Sequence, residues 1–267
     1  MSVYYSFIAG LPDLEFAPEA NFELPDDFMA KLEEQLPPEE LALARLLWLQ
    51  KFQQGITQLL SGRNKLVEHV SGFETEAFDS GHESFHQLPV YLQKLTVWKE
   101  SQKEQPSEML IAQKLQYFYY RQLLSSGNRF LQHWGELELN RLNFLAAHRS
   151  EKLSAKKENQ LIKGNDYYEL LMEFPAGHKI THTEFLAANQ LETITAKSNY
   201  LERETEMDRL RWDCIDEINR FEYFTIDVIL GFLQKLLLLE RWKNIYNPEK
   251  PVDPVETAEK LIADKQI

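Results

Sequence analysis

The stretch from Phe221 to Ile245, FEYFTIDVILGFLQKLLLLERWKNI, constrains this chain more than any other. Placing its residues about 100° apart around a helix axis gathers Asp227, Gly231, Gln234 and Arg241 within roughly one quadrant. Lys235 lies at the margin of that quadrant, and the rest of the circumference is apolar. A helix apolar nearly all round belongs inside a helical core or in a membrane. Spanning a bilayer takes about 20 apolar residues in a row, and Asp227, Gln234, Lys235 and Glu240 break the run too early. The stretch therefore reads as a central core helix. Its thin polar seam is expected to face another helical bundle, with Gly231 permitting close approach.

Most of the remaining chain carries helical periodicity. Pro37-Pro38-Glu39-Glu40 is a helix start, because proline suits the first turn and carboxylates there complement the dipole; Leu43, Leu46, Leu47, Leu49 and Phe52 follow, up to Ser61-Gly62. A second helix is expected over Lys65 to Val70, and a loop over 71–87. Pro89 and Pro106 open two helices expected to form an antiparallel hairpin, and Asn128 is expected to cap the next and longest one. Asp166 is expected to cap a short helix ended by Pro175. Thr181 and Glu184 match a capping box. Tyr200, Met207, Cys214 and Phe221 then fall seven apart, a spacing that lays a helix along a partner helix. Asp253 caps a weak C-terminal helix. Only the opening YYSFIAGLPDL reads as a strand or strap, followed by an irregular surface segment interrupted by Pro18, Pro25 and Pro37, with one short helix expected after Pro25. The expected fold is all-α, a set of helical bundles with an irregular N-terminal strap. The whole of 1–267 is taken as a single all-helical subunit, with sub-bundles over 1–105, 106–180 and 181–267.

Charge and motif content exclude several functions. A net charge of −13 opposes binding to nucleic acid, whose phosphates need surplus Lys and Arg, and docking on anionic lipid, and it favours a partner with a basic face. Neither G-x-G-x-x-G nor G-x-x-x-x-G-K occurs, so no phosphate loop is expected. The single Cys214 cannot form an internal disulfide, and MSVYYSFIAG lacks a secretory signal's basic start and cleavage site, which fits a reducing cytosol. Cys214 falls on the heptad core and reads as a small buried hydrophobe. The pairs His82/His86 and His178/His182 have the spacing of zinc ligands; the first sits in an aperiodic loop and the second straddles a helix start, so no metal or other cofactor is expected.

Two polar sets stand apart from an ordinary solvated face. One is Glu138, Asn140, Arg141, Asn143 and Arg149 within WGELELNRLNFLAAHR, interleaved with large apolar side chains. The other is the seam itself, with Asp227 near its start and Glu240-Arg241-Trp242 at its end. Buried charges are tolerated only when paired. Glu138, Asn140, Asn143, Arg149, Asp227, Glu240 and Arg241 are accordingly the candidate framework residues, holding helices together or meeting a partner, and no catalytic residue is assigned.

At these residues the chain resembles a known family. Leu137 to Arg149, LELNRLNFLAAHR, is similar to the acidic-Leu-x-Asn-Leu/Ile…Leu-Arg block of the socket component of V-type and A-type ATPases, the C (in eukaryotes, d) component of those enzymes. Ile226 to Ile245 resembles that family's late helix, and YYSFIAGLPDL resembles the divergent bacterial form encoded with V-type ATPase genes. The matched blocks cover about one fifth of the chain in the right order, and Arg141 stands where the family more often has an apolar or small residue. The resemblance implies three helical bundles arranged as a funnel-shaped socket without catalytic residues. It also implies a place in the central stalk of a rotary motor, between the axle of the soluble head and the membrane proteolipid ring. There it would pass torque that couples ATP turnover to ion or proton transport. The chain would then be cytoplasmic, held at the inner membrane through protein–protein interaction and without direct membrane insertion. The competing readings are a metal- or carboxylate-dependent helical enzyme and a helical adaptor unrelated to ATPases.

Overall fold

A computed structural model describes residues 4–17, 21–63, 69–70, 72–152, 156, 160–173 and 188–245. Among these the fold is all-α. The helices are α1 (Tyr4–Ala9), α2 (Pro25–Gln35), α3 (Pro38–Trp48), α4 (Gln53–Leu60), α5 (Val90–Glu100), α6 (Glu108–Leu124), α7 (Arg129–Lys152), α8 (Asp166–Glu173), α9 (Ala188–Thr195), α10 (Tyr200–Asn219) and α11 (Ile226–Ile245). The strands described are the two-residue β1 (His69–Val70) and β2 (Phe73–Glu74), paired antiparallel.

Helix ends follow local chemistry. Pro25 and Pro38 occupy the first turns of α2 and α3, followed by Asp26/Asp27 and Glu39/Glu40, where missing N–H groups cost nothing and carboxylates meet the positive end of the dipole. Ser107 caps α6 by accepting from the Leu110 amide, and Asn199 caps α10 by accepting from the Glu202 amide.

The chain divides into two compact units built from discontinuous segments, and neither follows the contiguous divisions at 105 and 180. The first comprises 1–48, 128–130 and 179–267; the second comprises 49–127 and 131–178.

In the first unit α11 packs against α2, α3 and α10. Ten of its residues are buried, among them Leu230, Leu233, Leu236 and Trp242, so burial nearly all round matches its apolar circumference. Phe28 of α2 meets the Phe232 ring at 4.9 Å, and Phe16 of the irregular 11–17 segment stands edge-on to Trp212 at 5.6 Å. In the second unit α5 and α6 form an antiparallel hairpin. The Tyr91 amide near the start of α5 donates to Gln122 Oε1 near the end of α6 at 2.6 Å, and the Tyr91 and Tyr119 rings sit 5.3 Å apart. Asn143 of α7, fully buried, reaches the irregular 160–165 segment.

Several sequence expectations need correction. Residues 4–9 are a short helix with no buried residue, not a strand; aromatic and β-branched content over so few residues does not distinguish the two. The core helix begins at Ile226, five residues later than expected. Phe221, Tyr223 and Phe224 instead form an exposed turn, so the heptad series runs through buried Met207 and Cys214 but leaves its last member in solvent. The helix opening at Pro38 is interrupted by a 3-10 segment over 49–52. Residues 71–87 contain β2 and 3-10 turns over 75–78 and 83–87. Of the helix expected over 65–70, residues 69 and 70 are described, and they form β1. Asn165, not Asp166, caps α8, its Oδ1 accepting from the Tyr168 amide at 3.2 Å. His178, His182, the 181–184 capping box and the C-terminal helix lie outside the described residues.

Candidate functional site

The candidate residues fall into two separate polar sets, one in each unit. In the second unit the set belongs to α7. Glu138 is fully buried, and its two carboxylate oxygens receive Nε and Nη2 of Arg141 at 3.0 Å each. A two-pronged guanidinium–carboxylate pair one turn apart satisfies a charge that would otherwise be costly to bury. Asn143 acts like a neighbouring strand toward Ile162: its Nδ2 donates to the Ile162 carbonyl at 2.9 Å, and its Oδ1 accepts from the Ile162 amide at 2.8 Å. Asn140 Oδ1 accepts from Asn165 at 2.5 Å, the residue that also caps α8. The two asparagines of α7 thus position the irregular link into α8 by satisfying backbone and side-chain groups that lack helical partners. Arg149 is exposed.

In the first unit the set follows the polar seam of α11. Asp227 accepts from Asn128 Nδ2 at 2.7 Å and pairs with Arg129 Nε at 3.3 Å. Arg129 also donates to the Ile218 carbonyl at 2.8 Å and meets Glu222 at 3.0 Å. Asn219, the last residue of α10, donates to the Asp227 carbonyl at 2.8 Å. One turn on, Gly231 lies against Ile215 and Asn219 so closely that an added Cβ would collide with the Asn219 amide. Lys235 pairs with Asp216 at 2.5 Å and stands 4.5 Å from the centre of the Trp212 ring.

The far end of the seam is its most strongly connected part. Arg241 sends Nη1 to Asp208 and Nη2 to Glu204, the latter at 2.6 Å. Asp208 additionally accepts from Arg211 Nη1 and from the Trp242 indole Nε1, each at 2.8 Å. Glu240 is half-buried. From Gly231 to Arg241 the seam therefore meets α10, the helix just before it in the chain, while Asp227 at its start also meets Asn128 and Arg129.

Asp208 is 2% exposed and does not figure among the sequence candidates. A signal for it exists in the sequence: Asp208, Trp212 and Ile215 share one helical face, and all three are buried.

Among the described residues no group of three or more His, Cys, Asp or Glu could hold a metal ion. His82 is used locally, its Nδ1 lying 2.6 Å from Ser84 Oγ in a 3-10 turn. Cys214 is buried on the core face of α10. Among the same residues no helix is long and apolar enough to cross a membrane.

The charge is unevenly divided. The first unit contains 27 Asp and Glu against 15 Lys and Arg, a net of −12, whereas the second contains 15 against 14, a net of −1. Nearly the whole acidic excess thus belongs to the unit that contains the seam.

No curated protein and no solved structure matches the chain. A family model described as protein of unknown function (DUF2764) matches residues 1–249, and the chain belongs to that family.

Proposed function

We propose that the chain is a non-catalytic component of the central stalk of a V/A-type rotary ATPase, a socket between the axle of the soluble head and the membrane proteolipid ring. Its association with the membrane is then peripheral, through the complex. The observation that supports this reading is the use made of the polar residues in the two resembling blocks. Glu138, Asn140, Asn143, Asp227 and Arg241 hold helices and links in fixed geometry through paired contacts. Close-packed helices clamped in this way transmit strain, which a torque-bearing part needs. The acidic first unit suits a basic axle tip.

The test is purification of the ATPase from cells with and without the gene. The expected result is that the chain co-purifies with axle and ring, and that complexes lacking it hydrolyse ATP without driving ion transport. An assembled complex that lacks the chain and still couples the two overturns the proposal.

A further inference from the structure

The turn between α10 and α11 is an unusual piece of surface. Phe221 is 79% exposed, Tyr223 68% and Phe224 41%, and Tyr5 of α1, 55% exposed, brings its ring to 4.7 Å from Phe224. Four large rings thus gather on a short stretch of one unit. Single exposed apolar side chains are ordinary; a contiguous group of aromatic ones marks a contact surface.

The backbone beneath the rings is braced by polar contacts. Amides of Arg220, Glu222 and Val228 donate to the carbonyls of Glu217, Asn219 and Thr225. Thr225 Oγ1 donates to Glu222 at 3.0 Å, and Arg129 ties Glu222 and the Ile218 carbonyl together. A turn held this way presents its rings without paying for their ordering on contact, which is the property of a binding hot spot.

Charge identifies the occupant. The surrounding unit has a net charge of −12. Next to the turn, Asp213, Asp216 and Glu217 are exposed along the last turns of α10 and outnumber the cations beside them, Lys235, which pairs with Asp216, and Arg220, which pairs with Glu217 and stands 5.7 Å from the centre of the Phe221 ring. A surface of that sign repels a second copy of the same unit and anionic lipid. It attracts a protein segment whose apolar face is fringed with Lys and Arg.

We propose that Phe221, Tyr223, Phe224 and Tyr5 form a docking site for a basic, amphipathic helix of another protein. Its aromatic centre supplies affinity, and its acidic surroundings supply selectivity and association rate. The inference stands whether or not the chain serves a rotary ATPase.

The experiment uses the full chain, a synthetic amphipathic helical peptide with a leucine face flanked by lysines, and the same peptide with glutamates in place of the lysines. The lysine peptide is expected to bind, to weaken as salt is raised, and to lose at least tenfold in affinity to the double variant Phe221→Ala/Tyr223→Ala. The glutamate peptide is expected to bind at least tenfold more weakly than the lysine peptide. Both substituted side chains are exposed, so an unchanged circular dichroism spectrum and melting temperature confirm that the variant is folded. Equal binding of the two peptides, binding indifferent to the two substitutions, or no binding of the lysine peptide overturns the proposal. Binding to zwitterionic phosphatidylcholine vesicles that the double variant loses overturns it in favour of a membrane surface. Concentration-dependent dimerisation that the variant abolishes overturns it in favour of a second copy.

Discussion

The indole Nε1 of Trp242 donates to Asp208 Oδ2 at 2.8 Å, joining two buried side chains that are 34 residues apart. The same oxygen accepts from Arg241, and the other carboxylate oxygen accepts from Arg211. One carboxylate thus serves three donors at the junction of α10 and α11. Removing it leaves two guanidinium groups and an indole N–H short of an acceptor in a poorly hydrated place. Asp208→Ala is expected to destabilise the first unit by about 3–5 kcal/mol, the cost of breaking a buried ion pair from one side. Asp208→Asn keeps an acceptor for Trp242 and costs less. Urea unfolding followed by tryptophan fluorescence checks the order, and equal stability of Asp208→Ala and the parent chain refutes it.

Gly231 sets how closely α11 approaches α10. A Cβ added there would sit 3.2 Å from Ile215 Cγ2 and would collide with the Asn219 amide, which is engaged in donating to the Asp227 carbonyl. Gly231→Ala gains helix propensity worth about 1 kcal/mol but forces the helices apart or breaks the Asn219 contact, at about 1–3 kcal/mol. The net effect is expected to be destabilising. The double change Gly231→Ala/Asn219→Ala, which removes the obstructing amide, is expected to recover part of the loss, and thermal melts of the two variants measure the difference.

Asn143 offers a test in the second unit that is independent of charge. Its amide satisfies both backbone groups of Ile162 within a buried site. Asn143→Ala orphans both, at about 1–3 kcal/mol for each unsatisfied group. Asn143→Asp keeps the acceptor but places a carboxylate against the Ile162 carbonyl, and is expected to be as damaging. Hydrogen exchange is the appropriate readout: the Ile162 amide is expected to lose protection in both variants, whereas amides in the middle of α6 are expected to keep theirs.

The seam of α11 is legible in the sequence because polar residues in a helix otherwise apolar all round must be paired, and Asp227 and Arg241 are. Glu138 and Asn143 are legible for the same reason, set among Trp134, Leu137, Leu139 and Phe144. The beginning of the core helix is not. An aromatic run such as Phe221 to Phe224 looks like core on hydrophobicity alone, and what sends it outward is the turn hydrogen bonding of Asn219 and Thr225. Asp208 is obscured for the opposite reason. In ERETEMDRLRWD charged residues are so frequent that one buried carboxylate does not stand out, and only its alignment with Trp212 and Ile215 separates it from its solvated neighbours. Assembly of the units from discontinuous segments lies beyond local pattern altogether, since it depends on pairings between residues far apart in the chain.

Alkaline pH separates the two units through their tyrosines. In the first unit the Tyr4 phenol is pushed up to about 12, chiefly by partial removal from water and then by its hydrogen bond to, and repulsion from, Glu40. In the second, burial alone pushes the Tyr91 phenol up further, and its hydroxyl has no hydrogen-bond partner among the described residues. A phenol is neutral when protonated, so a raised folded-state value means that the folded chain holds its proton more tightly than the unfolded chain, whose value lies near 10. The stabilisation linked to each group is then fully present below pH about 10 and is lost as the pH rises above it. For Tyr4 the loss runs through about 12 and levels off above it; for Tyr91 it continues to higher pH. Tyr91→Phe removes the second contribution together with an unsatisfied buried hydroxyl, while the backbone contact from residue 91 to Gln122 remains. The substitution is expected to stabilise the second unit at neutral pH by about 1 kcal/mol and to flatten its decline above pH 10. Unfolding measured at pH 7 and again between pH 10 and 12 checks both expectations, and a destabilised Tyr91→Phe variant at neutral pH contradicts the assignment of that hydroxyl as unpaired.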